Sequence, residues 1–463
     1  MIFSSLTFVI FFLLVVFAMV KIRDERPKQW VLTLASLVFY GWWNWWFLLL
    51  IIGSAAWSFE FGRILARETD AGKRKRLLAI SVAFDLGALA YFKYTNFFIQ
   101  SFADAFGLSA PILDILLPAG ISFFVFQTMS YVIDIYRREI PVCEDRLEFL
   151  LFVTFFPQLV AGPIVRAVEF LPQLRNPIRV TTENMKWGLQ VFVLGLVQKS
   201  LVADSLAGFV DPIFKEPELW DAPTLWLGLA GYTLQIFCDF SGYSLMAIGS
   251  AKALGFDLVE NFRTPYLSRS ITEFWRRWHM SLSFWLRDYL YISLGGNRKG
   301  PLRTDINLVL TMFLGGLWHG AGWNFVIWGT ANGIALVVHK HWSRRVPMPR
   351  ENILYAGLMW AVTLLFVMLL WIPFRAGTFE ITRTYFMGLF GQDGMTWLKP
   401  QVMILVVAMI IWHAFMAARS RVVTFLPAKE PFDWVPLASL MALLFLVAMF
   451  APLDASPFIY FQF

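Results

Sequence analysis

The sequence predicts an all-α protein that crosses a membrane many times, and three observations carry that reading. Of 463 residues, 58% are hydrophobic and only 15% charged, with a mean hydropathy of +0.61; soluble domains carry about 25% charged residues. Apolar runs long enough to span a bilayer as helices recur from end to end. The period-two alternation of a membrane barrel does not occur, and no polar stretch is long enough to bury a core of its own. Cys143 and Cys238 lie far apart in unlike contexts, which excludes a disulfide framework or a paired-cysteine metal site. No metal is expected. The net charge of +7 would suit nucleic acid, but in a membrane protein excess Lys and Arg report topology. The expected partner is the lipid bilayer, with no nucleic acid.

The elements follow in order from the charges. The first apolar run has its charges after it, from Lys21 on, and no small-residue cleavage site, so it reads as a retained span rather than a signal peptide. Basic clusters at 21–28, 72–76, 136–139, 252–303, 339–345 and 417–421 mark the cytoplasmic side, and the acidic loop 211–223 the other. Residues 30–62 must then go out and return, turning at "GWWNWW" (41–46), where tryptophans suit the interface. Further spans are expected at 77–92, 113–136, 187–204 and 225–250, in a hairpin within 306–338, and at 353–371, 402–416 and 434–451. With "FFPQLVAGPI" (155–164) as an incoming helix end followed by re-entrant backbone, this makes about ten to twelve crossings. Both termini come out extracytoplasmic. No convincing internal repeat is present, which argues against a symmetric transporter.

Three polar intrusions point to a site. Residues 252–303 hold nine Lys/Arg against four Asp/Glu, most of the molecule's net charge. Within them Phe274, Trp278, Leu282, Trp285 and Tyr289 recur every three or four residues as one helical stripe, with Arg269, Glu273, Arg276 and Arg277 on another face. The charge pattern alone fits an interfacial helix among anionic headgroups. It also fits a cytoplasmic vestibule for an anionic donor, with Arg276, Arg277, Trp278 and Arg287 as donor-binding residues. Downstream, "FLGGLWHGAGWNFVIWG" (313–329) sets His319 in an uncharged apolar hairpin between glycines. Intramembrane ionisable groups are costly and are functional suspects, although a core histidine bonded to a hydroxyl would look the same. In "LQIFCDFSGYS" (234–244), Asp239 sits mid-span beside Ser241 and Tyr243. An unpaired carboxylate there is untenable, so Asp239 must be neutral or bonded to an Arg, Tyr or His. His319 reads as chemistry and Asp239 as architecture.

The stretch "NFRTPYLSRSITEFWRRWHMSLSFWLRDYLYISLGGNR" (261–298), followed by "LWHG" (317–320), strongly resembles the membrane-bound O-acyltransferase family. It looks most like the bacterial branch containing the membrane subunit of alginate O-acetylation. The likeness extends through "MIFSS", "FFPQLVAGPI", "LQIFCDFSGYS" and the final "FIYFQF". It implies one domain over 1–463, a helical ring with a thin centre and a tunnel between the two faces, with the vestibule at 252–304, the histidine hairpin at 305–340 and an extracytoplasmic tail at 452–463. By motif, His319 is the catalytic histidine and His279 its donor-side partner, and the vestibule reading of the basic stretch is preferred. Asn332, Leu245 and Ser293 depart from the family pattern; none of these is one of the two histidines.

The resemblance implies an enzyme, with transfer of an acetyl group from a cytoplasmic thioester (acetyl-CoA, or an acyl carrier protein) for O-acetylation of an extracytoplasmic polysaccharide, at a bacterial inner membrane. No bound cofactor is expected. Such transfer needs a base for the hydroxyl proton, which imidazole supplies, and donors for the oxyanion, here Trp318 and backbone amides near Gly320. Asp239, Ser241 and Asn332 are the structural polar groups of the tunnel. There is no Gly-x-Ser-x-Gly elbow, and Cys238 in an apolar span is a poor nucleophile, so direct base-assisted transfer is expected. The resemblance also points to Tyr460, in the tail, as an acyl carrier that hands acetyl to a periplasmic partner of the SGNH type with a serine nucleophile. The glycan stays open between alginate, cellulose, another exopolysaccharide and peptidoglycan. A teichoic acid D-alanyltransferase, a lipid acyltransferase and a transporter are the alternatives. His339, His341 and His413 read as loop or interface residues.

Overall fold

The computed structural model describes residues 1–160, 162–346, 352–420, 437–451 and 458–459. Among the described residues every regular element is helical, and the one bridge, Trp220 with Met395, belongs to no strand. Four helices among them are long and apolar enough to cross a membrane: Phe47–Arg67, Ala71–Phe106, Thr182–Lys215 and Ile353–Arg375. Leu6–Lys21, Pro400–Met416 and Met441–Phe450 are shorter apolar helices. The chain divides into two compact units, Met1–Phe192 with Ser244–Val259, and Val193–Tyr243 with Glu260–Phe463.

In the first unit the expected turn lies between Glu25–Gly41 and Phe47–Arg67, and Trp42, Trp43, Trp45 and Trp46 are all exposed there, as an interfacial belt requires. The helix Ile121–Arg137 is buried along most of its length. Its start corrects the span expected at 113–136. Gly120 holds φ +72° after Pro118, and a Cβ there would meet Leu159 O at 2.6 Å, so the chain enters the helix only at Ile121. The span expected at 77–92 is part of a longer helical run that continues through a π segment, Ala90–Tyr94, to Phe106. "FFPQL" follows a nine-residue helix, Arg146–Thr154, too short to cross, and forms the short helix Phe156–Leu159, wholly buried. Its backbone is satisfied inside the protein: Phe156 N–H donates to Ser36 Oγ (3.1 Å).

Arg74, in the basic cluster at 72–76, is buried. Its guanidinium donates to the carbonyls of Leu65, Ile135 (3.2 Å) and Tyr136 (2.9 Å). These carbonyls lie at the C-terminal ends of the 47–67 and 121–137 helices, where a cation is well placed.

The second unit holds every described residue expected in the site. Its centre is a hairpin, Pro301–His319 and Trp323–Arg345, joined by Gly320, Ala321 and Gly322. The two helices pack glycine against glycine. A Cβ on Gly329 would meet Met312 O at 2.3 Å and Gly316 Cα at 2.9 Å, and one on Gly316 would meet Phe325 O at 2.3 Å. Small residues let the backbones approach this closely, the means by which helices associate where lipid replaces water.

Candidate active site

His319 is the last residue of the first hairpin helix, 4% exposed, and its ring is boxed by aromatic side chains. Trp318 and Trp328 lie at 5.0 Å between ring centroids and Phe374 at 5.4 Å, all three nearly edge to face. Phe374 comes from the Ile353–Arg375 helix, which also brings Trp371 against Trp328 (6.1 Å) and Trp278 (5.0 Å). Gly316 and Gly329 set the hairpin spacing that puts Trp328 beside His319.

The continuous amphipathic helix expected over 269–289 is broken. Ile271–Trp275 stops, Met280–Trp285 begins after it, and a π segment, Leu286–Tyr291, follows. His279 stands in the break with φ 43° and ψ 55°, the left-handed region. A stripe of three- and four-residue spacings runs across such an interruption unchanged, which is why periodicity concealed it. All five stripe residues, Phe274, Trp278, Leu282, Trp285 and Tyr289, are nevertheless buried.

What holds the break is a short backbone clamp. Arg263 N–H donates to Arg277 O and Met280 N–H to Asn261 O, both at 2.9 Å. The Asn261 side chain accepts from Ser281 Oγ at 2.9 Å. Thr264, a β-branched residue also in the left-handed region, accepts from Arg277 through Oγ1 (3.2 Å). Two non-glycine residues in that conformation on one clamp are local strain held by the surrounding bonds, a pattern that clusters at functional sites. Neither Asn261 nor Thr264 was singled out from the sequence, because the bonds that give them importance join segments that periodicity treats separately.

The clamp places His279, 0% exposed, with its ring 4.6 Å from Phe240, 6.0 Å from Trp318 and 6.3 Å from His319. Two imidazoles from separate elements therefore lie near one another among aromatic rings. Both rings are buried away from bulk water, which strengthens any charge interaction made there.

The remaining expectations divide. Arg276 is exposed, Arg277 is half-buried and engaged with Glu273 (2.7 Å), and Arg287 is exposed beside Asp288 (2.7 Å). Trp278 does not stand with them: it is 1% exposed, packed among Phe237, Phe262, Phe274 and Trp371. Asn332 is a brace, accepting from Trp275 Nε1 (3.2 Å) and donating to Trp328 O (2.9 Å). Ser241 donates to Gln198 Oε1 at 2.6 Å. His413 is not a loop residue. It is buried in the Pro400–Ser420 helix with its ring on Phe237 and Tyr266. His339 likewise lies within a helix, bonded to Thr272 Oγ1 (2.8 Å).

Asp239 has a partner of a type not expected. Lys199 Nζ is 2.6 Å from Asp239 Oδ1 and 2.6 Å from Asp204 Oδ1, with the three side chains 1 to 5% exposed. Lys199 lies in a π segment, Val197–Ala203, inside what the sequence offered as a plain span ending at Asp204. Tyr460 lies outside the described residues; Phe458 and Ile459 lie inside them, both buried.

The sequence profile of the membrane-bound O-acyltransferase family matches residues 144–379, a segment that includes the clamp, both histidines and Asp239. A probable alginate O-acetylase, AlgI, of Pseudomonas putida is 40% identical over 100% of both chains. The chain is a membrane-bound O-acyltransferase. The acyltransferase is also 37% identical to a peptidoglycan O-acetyltransferase of Helicobacter pylori, over 80% of this chain and 75% of that one. It is 32% identical to a teichoic acid D-alanyltransferase of Streptococcus thermophilus, over 52% of this chain and 60% of that one. Membership sets the transporter alternative aside.

Proposed function

We propose that this acyltransferase moves acetyl from a cytoplasmic thioester, acetyl-CoA in the simplest case, across the bacterial inner membrane for O-acetylation of an extracytoplasmic exopolysaccharide. The observation that carries the reading is the pair of buried imidazoles, His279 and His319, 6.3 Å apart inside an aromatic box, in a chain similar over its whole length to a probable alginate O-acetylase.

In the proposed reaction a His319 ring nitrogen takes the proton of an acceptor hydroxyl, and the oxygen attacks the thioester carbonyl. The tetrahedral oxyanion collapses, the C–S bond breaks, and the departing thiolate takes the proton back from the imidazolium. The acceptor in this reading is the Tyr460 phenol. The aryl ester so formed is a good acyl donor to the serine of a periplasmic partner of the SGNH type, which carries acetyl to the glycan. Arg276, exposed in the basic region, is the leading contact for the donor's phosphates.

The test is acetyl transfer from radiolabelled acetyl-CoA in inverted membrane vesicles carrying the partner, with and without His319→Ala. Wild-type transfer by that variant at equal abundance would sink the assignment. Ester analysis of exopolysaccharide and of peptidoglycan from a strain lacking the gene decides between the two glycan classes, since relatives named for each are similar to this chain.

A further inference from the structure

We infer that Asp239, held by Lys199, is a clasp that fixes the C-terminal tail through the backbone amide of Ile459, which makes Lys199 and Asp239 positioning residues for transfer. The inference rests on the tail reading above and says what seats the tail.

The geometry gives each carboxylate oxygen of Asp239 its own donor. Oδ1 faces Lys199 Nζ at 2.6 Å, and Oδ2 accepts from Ile459 N–H at 2.9 Å. Lys199 also holds Asp204, so one cation stands between two buried carboxylates and cannot neutralise both. The tail amide supplies the remaining positive dipole. A buried carboxylate oxygen needs such a donor, so the charge of the network and the seating of the tail are coupled.

Side chains repeat what the backbone does. Phe458 is 0% exposed, with its ring 5.4 Å from Phe240 and 4.7 Å from Tyr243. Asp239, Phe240 and Tyr243 are residues i, i+1 and i+4 of the Ala222–Ala253 helix, so one patch of helix takes both the amide and the ring of the tail. Phe240 meets His279 at 4.6 Å. Phe458 is thereby linked to His279 through a single aromatic ring. Gly242 admits the lysine: a Cβ there would meet Gly195 O at 2.7 Å and Lys199 N at 3.0 Å. The π turn carries Lys199 at this close approach.

A carrier attached to its own enzyme works through effective concentration. Loss of the clasp should therefore lower kcat and leave the KM for donor unchanged, because the basic donor side is untouched. In the full-length protein, hydrogen exchange of the Ile459 amide should be slow. In Asp239→Ala it should accelerate, and acetyl transfer should fall by at least about tenfold. Asp239→Asn keeps an oxygen acceptor for the amide and leaves Lys199 balanced by Asp204, so it should restore both protection and most of the transfer. If the buried variants fail to fold, Ile459→Pro removes the N–H while also fixing φ and changing the buried side chain, and Ile459→Val keeps the N–H with a similar side chain. The proline variant should lose transfer at unchanged donor KM; the valine variant should not. A slow Ile459 amide in Asp239→Ala, or equal transfer by the proline and valine variants, overturns the clasp. Full transfer by Tyr460→Phe would sink the carrier reading alone, and the clasp would still stand on an amide released in Asp239→Ala and retained in Asp239→Asn.

Discussion

The hairpin that carries His319 has histidines at both ends, and its two ends treat them differently. At the tight, glycine-packed end the His319 ring meets Trp318, Trp328 and Phe374, and solvent is shut out. At the other end His339 bonds Thr272 Oγ1, and His341 Nε2 lies 2.9 Å from Asp305 Oδ2 with 42% of its side chain exposed. One residue type thus serves two purposes within a single hairpin. Aromatic walls enclose the imidazole in a dry site, whereas carboxylate and hydroxyl partners turn it into a tie between elements. Position along the helix, not the presence of histidine, distinguishes a ring enclosed by aromatic side chains from one used to fasten elements.

If that contrast is right, substitutions should grade by end. His319→Ala should abolish acetyl transfer, a loss of about 100-fold or more, as for removal of a general base, while the protein inserts and is recovered at normal yield. Glycan ester content at equal protein abundance is the measurement. Replacement of His279 should cost somewhat less, roughly tenfold to 100-fold in kcat, and equal rates for the two variants would blur the distinction between base and donor-side partner. Gly329→Ala attacks the tight end through its backbone. With Met312 O 2.3 Å from the new Cβ the helices must separate, at a cost of about 1–3 kcal/mol, read as a lowered Tm in detergent together with reduced transfer. Arg276→Gln should raise the apparent KM for acetyl-CoA several-fold with little change in kcat, and Arg277→Gln should do less, because its guanidinium is already engaged with Glu273 and Thr264. His341→Ala should leave transfer within about twofold of wild type, as expected of a half-buried hydrogen-bond partner of Asp305 far from the His319 end. A collapse there comparable to His319→Ala would break the comparison.

Much of this was readable in advance, and the exceptions share a cause. The helical membrane class, the tryptophan turn at 42–46, the hairpin and the histidine within it follow from local composition, which a sequence displays directly. So does the requirement that Asp239 be bonded. The identity of its partner does not follow, because Lys199 lies forty residues earlier in a span whose other residues are largely apolar, and only the approach of two helices at Gly242 joins them. The break at 276–279 was equally hidden, since a three-and-four stripe survives a change of direction. Arg74 reads as a loop charge until the helix ends that it gathers are brought together. In each case the deciding contact is between segments distant along the chain.

The left-handed backbone at residue 279 restricts which side chains natural variation or laboratory selection can place there. Most L-residues meet their own carbonyl in that conformation, at a cost of roughly 1–2 kcal/mol, and Asn, Asp, Gly and His are the types that enter it most readily. An alanine at 279 would combine two injuries, a missing imidazole and a backbone pressed into an unfavourable well, whereas an asparagine would inflict mainly the first. Comparing the two separates the contribution of the ring from that of the chain trace. A library randomised at this codon and selected only for folded, inserted protein should return chiefly glycine, asparagine and histidine, before any demand for activity is made.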